Sequence, residues 1–241
     1  MIDPCDPNVI ASPETRLRGA LLHVTIRFVN IAPGMRTYGG LTADERVAAR
    51  RAKLLDAGLE LFGTHGYAGT GVKDICREAG LTDRYFYESF TDGGALFLAV
   101  FDRLTDELFE AVAVAVLDSG NDPQAQLRSA VGTFIDALAA DPRKPRVLFA
   151  EAAAAGPDAA AHMRMTLRRF TALVAATARQ HLPASTPDED IQLLALSLVG
   201  LLERVVTEHV DGELRIPLGE VVDRCVALYA SMLRLLASGR P

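Results

Sequence analysis

A short polar run, Thr82-Asp83-Arg84-Tyr85, carries the side chains of this sequence that are best suited to binding a nucleic acid. Hydroxyl, carboxylate and guanidinium groups in the first turn of a helix can hydrogen-bond base edges in the major groove of DNA. The free backbone amides of the same turn can bind a phosphate group. We therefore expect this run to open a DNA-reading helix.

Two short helices, separated at Gly80, must position that run. Thr70 is interpreted as the cap of the first helix and Thr82 as the cap of the second, which gives a helix-turn-helix from roughly Thr70 to Phe90. Apolar residues at helical spacing can pack on a longer preceding helix. They are Ile75, Ala79, Leu81, Phe86 and Phe90. The polar residues left to face outward are Lys73, Arg77, Asp83, Arg84, Tyr85, Tyr87 and Glu88.

The helix that precedes the motif has clear start and stop signals. Thr42 and Glu45 form a capping box at its start. An apolar side then runs along the helix to a predicted end at Gly63 and Gly66, because glycine favours helix termination.

The rest of the chain predicts a larger helical domain without a strand pattern. Asp92 is interpreted as the cap of a helix from about Gly94 to Asp118. Prolines and glycines then separate five further helical segments. These segments run roughly over 122–140, 143–154, 157–182, 188–210 and 217–238. The predicted fold class is all-α, with a three-helix helix-turn-helix domain at 42–92 and a C-terminal helical domain at 93–241.

The segment near residues 45 to 100 matches a known family pattern at many positions, in order and at fixed spacing. The matching runs are Leu54-Leu55-Asp-Ala-Gly-Leu-Glu-Leu61-Phe62-Gly-Thr-His-Gly66-Tyr67, Thr70-Gly-Val72-Lys-Asp-Ile75-Cys, Ala79-Gly80-Leu81-Thr82 and Tyr85-Phe86-Tyr87-Glu-Ser-Phe90. On these residues the chain resembles the TetR family of bacterial repressors. The C-terminal half resembles that family in helix number and length only.

The resemblance implies a role for each matching position. Thr82 matches the hydroxyl residue that opens the recognition helix, and Asp83, Arg84 and Tyr85 lie where members of the family contact bases. Tyr87 matches a tyrosine that contacts a phosphate. The implied DNA-binding set also includes Arg46, Arg50, Arg51, Thr70 and Lys73.

Two positions depart from the family pattern. Gly71 stands where many members have a hydroxyl residue, and Gly93-Gly94 stands where many have a lysine. Both positions usually help to hold phosphate. The departures therefore imply fewer phosphate contacts at these two positions. The arginines of the first helix would then supply a larger share of the phosphate contacts.

The charge of the chain constrains the DNA-binding prediction. The net charge is -6, and residues 35–93 hold eight Arg and Lys against nine Asp and Glu. Attraction to DNA must therefore come from basic residues clustered on one face. Arg46, Arg50, Arg51 and Lys53 form such a cluster, so we expect modest non-specific affinity.

Residues 1–41 differ from the rest of the chain. They contain four prolines, four arginines and a weak alternating strand pattern at Val24, Ile26 and Phe28. Two interpretations remain open: a disordered leader, with Met35 as an alternative start, or an extra DNA-contacting arm. The lack of enough apolar residues for a core favours the disordered leader.

Cysteine use and hydropathy indicate the compartment. Cys5, Cys76 and Cys225 lie far apart and form no CxxC pair, which is typical of a reduced, cytoplasmic protein. The longest apolar stretches, such as Leu193 to Leu202, are too short to span a bilayer, so no membrane partner is expected.

The resemblance also implies that the larger domain binds a small-molecule effector and forms a homodimer. The candidate ligand-contacting residues are Phe134, Leu138, Phe149, Met163, Leu167 and Phe170, with Glu151, Arg164, Arg168 and Arg169 as polar candidates. Plain core or solvated helix faces are the simpler interpretation of each. The segments 188–210 and 217–238 are expected to pair across a two-fold axis, which would place two reading helices about one DNA turn apart.

These features favour one class of function and leave an alternative open. The favoured class is a DNA-binding transcriptional repressor that a small-molecule effector releases from its double-stranded DNA operator. The alternative is a helical dimeric ligand-binding or interaction protein with a weakened DNA-binding head. An enzyme is not expected, because the sequence has no HExxH, GxSxG or Walker-type phosphate loop. No cofactor and no metal are expected either.

Overall fold

The computed structural model describes residues 42–238. The expectations for residues 1–41, a disordered leader and a weak strand at Val24, Ile26 and Phe28, lie outside the described residues. Every regular element within residues 42–238 is helical. The α-helices are α1 Ala43–His65, α2 Val72–Ala79, α3 Asp83–Ser89, α4 Gly93–Asp118, α5 Pro123–Ala139, α6 Arg143–Pro145, α7 Ala152–Ala154, α8 Pro157–Arg179, α9 Asp188–Val210 and α10 Leu218–Ala237. The all-α prediction, with an N-terminal helix-turn-helix and a C-terminal helical domain, is confirmed.

Helix α1 begins as its sequence predicts and ends later than predicted. The Oγ1 of Thr42 accepts a hydrogen bond from the backbone N–H of Glu45, and the Glu45 carboxylate accepts from the N–H of Thr42. Together these two bonds satisfy two of the free amides of the first turn. The helix stops at Gly66, whose φ of 82° is readily available to glycine. The prediction that Gly63 takes part in ending the helix is wrong, because α1 runs on to His65.

Gly63 has a packing role instead. A Cβ atom placed there would lie 2.4 Å from the Cβ of Arg143, so only glycine lets α6 approach α1 this closely. The guanidinium of Arg143 donates to Glu60 at 2.5 Å and to Asp141 at 2.7 Å. The same guanidinium lowers the pKa of the Asp141 carboxyl. The glycine and the ion pairs together fix α6 against the C-terminal half of α1.

The core of the helix-turn-helix is built from large side chains of four helices. The most deeply buried are Leu54, Phe62, Ile75, Phe86, Leu96 and Phe97. The rings of Phe62, Tyr67 and Phe97 contact one another with centroid distances between 5.2 and 5.9 Å. The turn between α2 and α3 uses Gly80 in the left-handed region at φ 63°. Residues 42–92, predicted to read DNA, are called the reading head. The first turns of α4 complete its core, because Leu96 and Phe97 are part of that core.

The other three predicted N-terminal caps, Thr70, Thr82 and Asp92, have different outcomes. Asp92 caps α4 as predicted, since its carboxylate accepts from the N–H of Ala95 at 2.8 Å. Thr82 occupies the N-cap position of α3 but makes no capping hydrogen bond. The interpretation of Thr70 as a cap is wrong: Gly71 occupies the N-cap position of α2. The hydroxyl of Thr70 donates instead to the carbonyl of Gly66 and closes the preceding turn.

The C-terminal helices pack around the long helix α4. Helices α5 and α8 lie against α4, while α9 packs on α8 and α10 on α5. The segment predicted as one helix over 143–154 is divided, because residues Arg146–Glu151 form a π-helix between α6 and α7. The helix predicted over 157–182 ends at Arg179. The described residues all fall within one compact unit.

The two cysteines of the described part of the chain, Cys76 and Cys225, are free and buried. Burial raises the pKa of both thiols. No helix within residues 42–238 is long and apolar enough to cross a membrane.

The close approach at Gly63 predicts an asymmetry between two glycine substitutions. Gly63→Ala should lower the free energy of unfolding by about 1–3 kcal/mol, because its methyl group overlaps Arg143. Gly132→Ala, inside α5 where an added methyl meets no atom within 4 Å, should raise it by about 0.5–1 kcal/mol. Urea unfolding of both variants measures the two changes. Equal stability of the two variants would contradict this account of Gly63.

Candidate nucleic-acid interface and ligand cavity

The N-terminal turn of α3 presents the polar run at the protein surface. Thr82, Asp83 and Arg84 are exposed, and Tyr87 points outward one turn later. Tyr85 is half-buried. Phe86 on the opposite side of α3 is fully buried and fixes the helix to the core. This arrangement leaves the first turn of α3 free to enter a groove.

Two arginines of α1 brace α3 from behind. The guanidinium of Arg50 lies 4.5 Å from the ring centroid of Tyr85, and that of Arg51 lies 4.7 Å from the ring centroid of Phe90. Contacts of this type contribute about 0.5–1 kcal/mol at exposed sites. Arg50 also lies 3.7 Å from the carboxylate of Glu88. The predicted phosphate-binding arginines therefore also orient the reading helix.

Arg84 is the basic residue of the predicted reading run, and its side chain is highly accessible to solvent. Its side chain is 84% exposed and its Nε donates to Glu88 one turn away at 3.1 Å. An exposed pair of this kind contributes little free energy, so Arg84 can leave Glu88 at small cost. Arg46 is likewise exposed near the start of α1.

The glycines that depart from the family pattern are accommodated locally. The N–H of Gly71 donates to the carboxylate of Asp74, which also accepts from Arg77 at 2.7 Å. The bond from Arg77 and then the bond from Gly71 hold the pKa of Asp74 below its usual value. Lys73 is exposed on the same short helix. Nothing lies within 4 Å of a side chain added at Gly93, so that position is open.

An apolar cavity lies among the C-terminal helices. Five of the six predicted ligand-contacting residues line it, namely Phe134, Phe149, Met163, Leu167 and Phe170. The sixth, Leu138, is buried but lies outside the lining. The cavity measures about 120 Å³ and also extends along α4 from Phe101 to Val116. Those two residues are ~22 Å apart along a helix axis, so the cavity is narrow and elongated.

A hydrogen-bonded polar pair lies at the end of the cavity where α5 begins. The imidazole Nε2 of His181 is 2.7 Å from the Oε1 of Gln126, whose Nε2 donates to the carbonyl of Gly120. Burial lowers the pKa of His181, which favours its neutral form. A shallower pocket beside His181 shares Leu233 with the cavity and adds Arg234. An occupant would therefore meet the polar pair of His181 and Gln126 at this end and a mostly apolar lining elsewhere.

Sequence reasoning missed the parts of the cavity wall that α4, α9 and α10 contribute. Five residues of α4 and several of α9 contribute to the lining, among them Leu108, Val112, Leu194 and Leu198. The signal was present, since α4 buries apolar residues along its full length. The polar candidates do not line the cavity: the Glu151 carboxylate accepts a hydrogen bond from the N–H of Tyr67 in the reading head.

Helices α9 and α10 carry a second apolar surface that faces outward. Leu193, Leu196, Leu228 and Leu235 are each more than half exposed. Leu194 and Leu198 on the same α9 are buried against the interior. The broad apolar faces predicted for these helices therefore serve two sides, one toward the cavity and one toward solvent.

Comparison with known proteins places the helix-turn-helix in a family. Residues 54–100 match the family model for bacterial regulatory proteins of the tetR family. The chain is 32% identical over 140 residues to the HTH-type transcriptional activator FasR of Mycolicibacterium smegmatis, covering 58% of this chain and 62% of that protein. It is 36% identical over 88 residues to the HTH-type transcriptional regulator BetI of Stenotrophomonas maltophilia, covering 36% of this chain and 45% of that protein. The chain thus spans less than two thirds of the length of these relatives, both of which are transcriptional regulators.

Solved structures share the fold over most of the chain. The fatty acid degradation regulator FadR from Bacillus halodurans aligns with a TM-score of 0.62 at 19% identity, covering 85% of this chain and 98% of that one. FadR from Bacillus subtilis, solved in complex with stearoyl-CoA, aligns with a TM-score of 0.62 at 18% identity, covering 79% of this chain and 99% of that one. Residues 54–100, which contain the helix-turn-helix, thus match the tetR family model, and the helical architecture of the chain is shared with these structures.

Proposed function

We propose that this protein is a DNA-binding transcriptional repressor that a small-molecule effector releases from its operator. The observation that carries the proposal is the exposed first turn of α3, braced on α1 by Arg50 and Arg51, inside a segment that matches the tetR family model. Residues 42–92 form the DNA-binding head in this proposal, and residues 93–241 form the effector-binding and dimerisation domain. Such a protein acts in the cytoplasm, where the chromosome lies.

Base reading is assigned to the start of α3. Asp83, Arg84 and Tyr85 contact base edges in this proposal, and the amides of the first turn bind phosphate together with Thr82 and Tyr87. The remaining phosphate contacts come from the basic cluster and the first short helix, namely Arg46, Arg50, Arg51, Thr70 and Lys73. The near-zero charge of the head supports modest non-specific affinity, since few phosphates can be neutralised.

Two such heads must act together on an operator. We propose that α9 and α10 pair with the same helices of a second copy, because Leu193, Leu196, Leu228 and Leu235 leave a row of apolar side chains in water. A symmetric dimer would present two reading helices to successive turns of the major groove.

The effector is proposed to be an elongated lipophilic molecule. The narrow cavity is lined by apolar side chains over ~22 Å of α4, with polar groups near His181 at one end. FadR from Bacillus subtilis, which shares the fold, was solved with stearoyl-CoA, a molecule with a long apolar chain and a polar head. Filling the cavity would shift the population of the dimer toward a spacing of heads that no longer fits the operator.

A second candidate is activation of transcription by the same DNA-bound protein. The relative in Mycolicibacterium smegmatis is named a transcriptional activator, and it is 32% identical over the matched 140 residues. A reporter driven by the DNA upstream of this reading frame separates the two. Deletion of the gene should raise reporter output for a repressor and lower it for an activator.

Removal of the reading side chains should weaken specific DNA binding. Arg84→Ala combined with Tyr85→Ala should weaken retardation of the upstream DNA by about 1–3 kcal/mol for each base that is no longer hydrogen-bonded. Arg128→Ala, which removes an exposed arginine that pairs with Asp223 away from the head, should bind normally. Gel retardation with unrelated DNA as competitor measures the difference. Equal binding by the wild type and both variants would contradict the assignment of α3 as the reading helix.

Charged residues on the outward apolar surface should dissociate the dimer. Leu193→Glu with Leu228→Glu would bury carboxylates at the proposed interface, so monomers should predominate at micromolar concentration. Val114→Glu, at an exposed apolar position of α4, should leave the mass unchanged. Sedimentation velocity distinguishes the two masses. A wild-type protein that sediments as a monomer would contradict the proposed dimer.

Partial filling of the cavity should remove the response to a lipophilic effector. Ala130→Phe adds a ring to the cavity wall, whereas Ala176→Phe adds the same ring on the exposed side of α8. With stearoyl-CoA as the probe, operator retardation by the wild type and by Ala176→Phe should fall, and that by Ala130→Phe should persist. Retardation of the wild type that does not change with stearoyl-CoA would contradict the proposed class of effector.

A further inference from the structure

The π-helical segment Arg146–Glu151 contacts both the cavity and the reading head. Leu148 and Phe149 line the cavity from this segment. Arg146 and Glu151, at its two ends, bond to residues of the head. A span of six residues therefore joins the two functional parts of the molecule.

The contacts with the head converge on the turn that follows α1. The carboxylate of Glu151 accepts a hydrogen bond of 2.8 Å from the backbone N–H of Tyr67. Arg146 donates to the carbonyl of Thr64 at 3.1 Å and lies 3.4 Å from Glu151. Thr64 and Tyr67 stand on either side of Gly66, where α1 ends. The segment thus holds both sides of the turn that leads from α1 into the helix-turn-helix.

The turn is shaped to receive this carboxylate. A Cβ atom added at Gly66 would lie 3.1 Å from both carboxylate oxygens of Glu151, and the φ of 82° at this position is unfavourable for other residues. The ring of Tyr67 packs against those of Phe62 and Phe97, so its backbone N–H is attached to the core of the head. The bond is charge-assisted, a class that is stronger than hydrogen bonds between neutral groups.

The π-helical geometry couples the position of Phe149 in the cavity wall to the position of Glu151 beside Tyr67. A π-helix has i→i+5 hydrogen bonds, and a return to α-helical bonding changes the register by one residue, which rotates the following side chains by about 100°. Phe149 and Glu151 lie two positions apart, so a register change that moves one of them moves the other. An occupant that displaces the Phe149 ring would therefore also displace the Glu151 carboxylate.

We propose that Glu151 is a positioning residue for the DNA-reading head, and that the π-helical segment transmits filling of the cavity to it. The inference rests on the proposed function, because it needs a cavity that a ligand fills. Filling the cavity breaks the bond between Glu151 and Tyr67 and releases the turn after α1. Helix α4, which also joins the two parts, remains continuous throughout.

Hydrogen exchange at the backbone amide of Tyr67 reports directly on its hydrogen bond to Glu151. The full-length protein is compared with and without cis-parinaric acid, a fluorescent polyene fatty acid whose emission reports occupancy of the cavity. Mass spectrometry follows exchange in peptides that cover residues 63–71. In the wild type, occupancy should speed exchange at Tyr67 by about tenfold or more, in keeping with the loss of a charge-assisted bond.

Three variants separate transmission from a merely structural role. Glu151→Ala should exchange fast with and without the probe while emission still rises normally. Glu151→Gln keeps an acceptor oxygen for the Tyr67 N–H and should restore the response, so it serves if Glu151→Ala folds poorly. Glu107→Ala, which removes an exposed carboxylate on α4, should behave as the wild type does.

Two results would overturn the proposal. One is a rise in probe emission in the wild type without a change in exchange over residues 63–71. The other is a probe response in Glu151→Ala equal to that of the wild type. The readout uses no DNA, so a protein that binds no operator would contradict the proposed function and leave this test intact.

Discussion

The packing of α4 against α1 is the constraint on which the rest of the structure depends. Gly58 on α1 brings the two helices close, since a Cβ atom there would lie 2.9 Å from Val100. The first turns of α4 complete the core of the reading head through Leu96 and Phe97, and its later turns wall the cavity from Phe101 onward. One continuous helix of 26 residues therefore belongs to both parts. Because packed helices resist deformation, neither part can be displaced without stressing the other.

The reading head has little positive charge for a domain that is proposed to bind DNA. Residues 42–92 hold seven Arg and Lys against nine Asp and Glu, so a general attraction to DNA is weak. The guanidinium groups of Arg50 and Arg51 lie over the rings of Tyr85 and Phe90, which places two positive charges beside α3. The same contacts hold α3 at a fixed angle on α1. A helix held in this way would lose little conformational freedom in the proposed binding to a groove, and specificity would then depend on the side chains of its first turn.

The C-terminal helices have apolar surface on two sides, one toward the cavity and one toward solvent. On α9, Leu194 and Leu198 line the cavity while Leu193 and Leu196 face solvent. A helix that is apolar around most of its circumference must be covered on both sides, because exposed apolar area is costly in water. The proposed ligand and the proposed second copy would cover those two sides. Occupancy of the cavity and geometry of the dimer would then be linked through the same helix.

The amino-acid sequence alone determined the elements and their order. Capping residues such as Thr42 and Asp92, left-handed glycines such as Gly66 and Gly80, and apolar periodicity fix where most helices begin and end, since these are local interactions. The spacing of residues in α2 and α3 likewise predicted which face of α3 would be exposed, and the structure exposes it.

Contacts between distant segments were decided by the tertiary structure alone. Gly63 reads as a helix terminator until Arg143 is placed beside it. Glu151 reads as a cavity residue until its bond to Tyr67, 84 positions away, is seen. No local propensity encodes such pairs, because their free energy arises only when packing brings the two segments together.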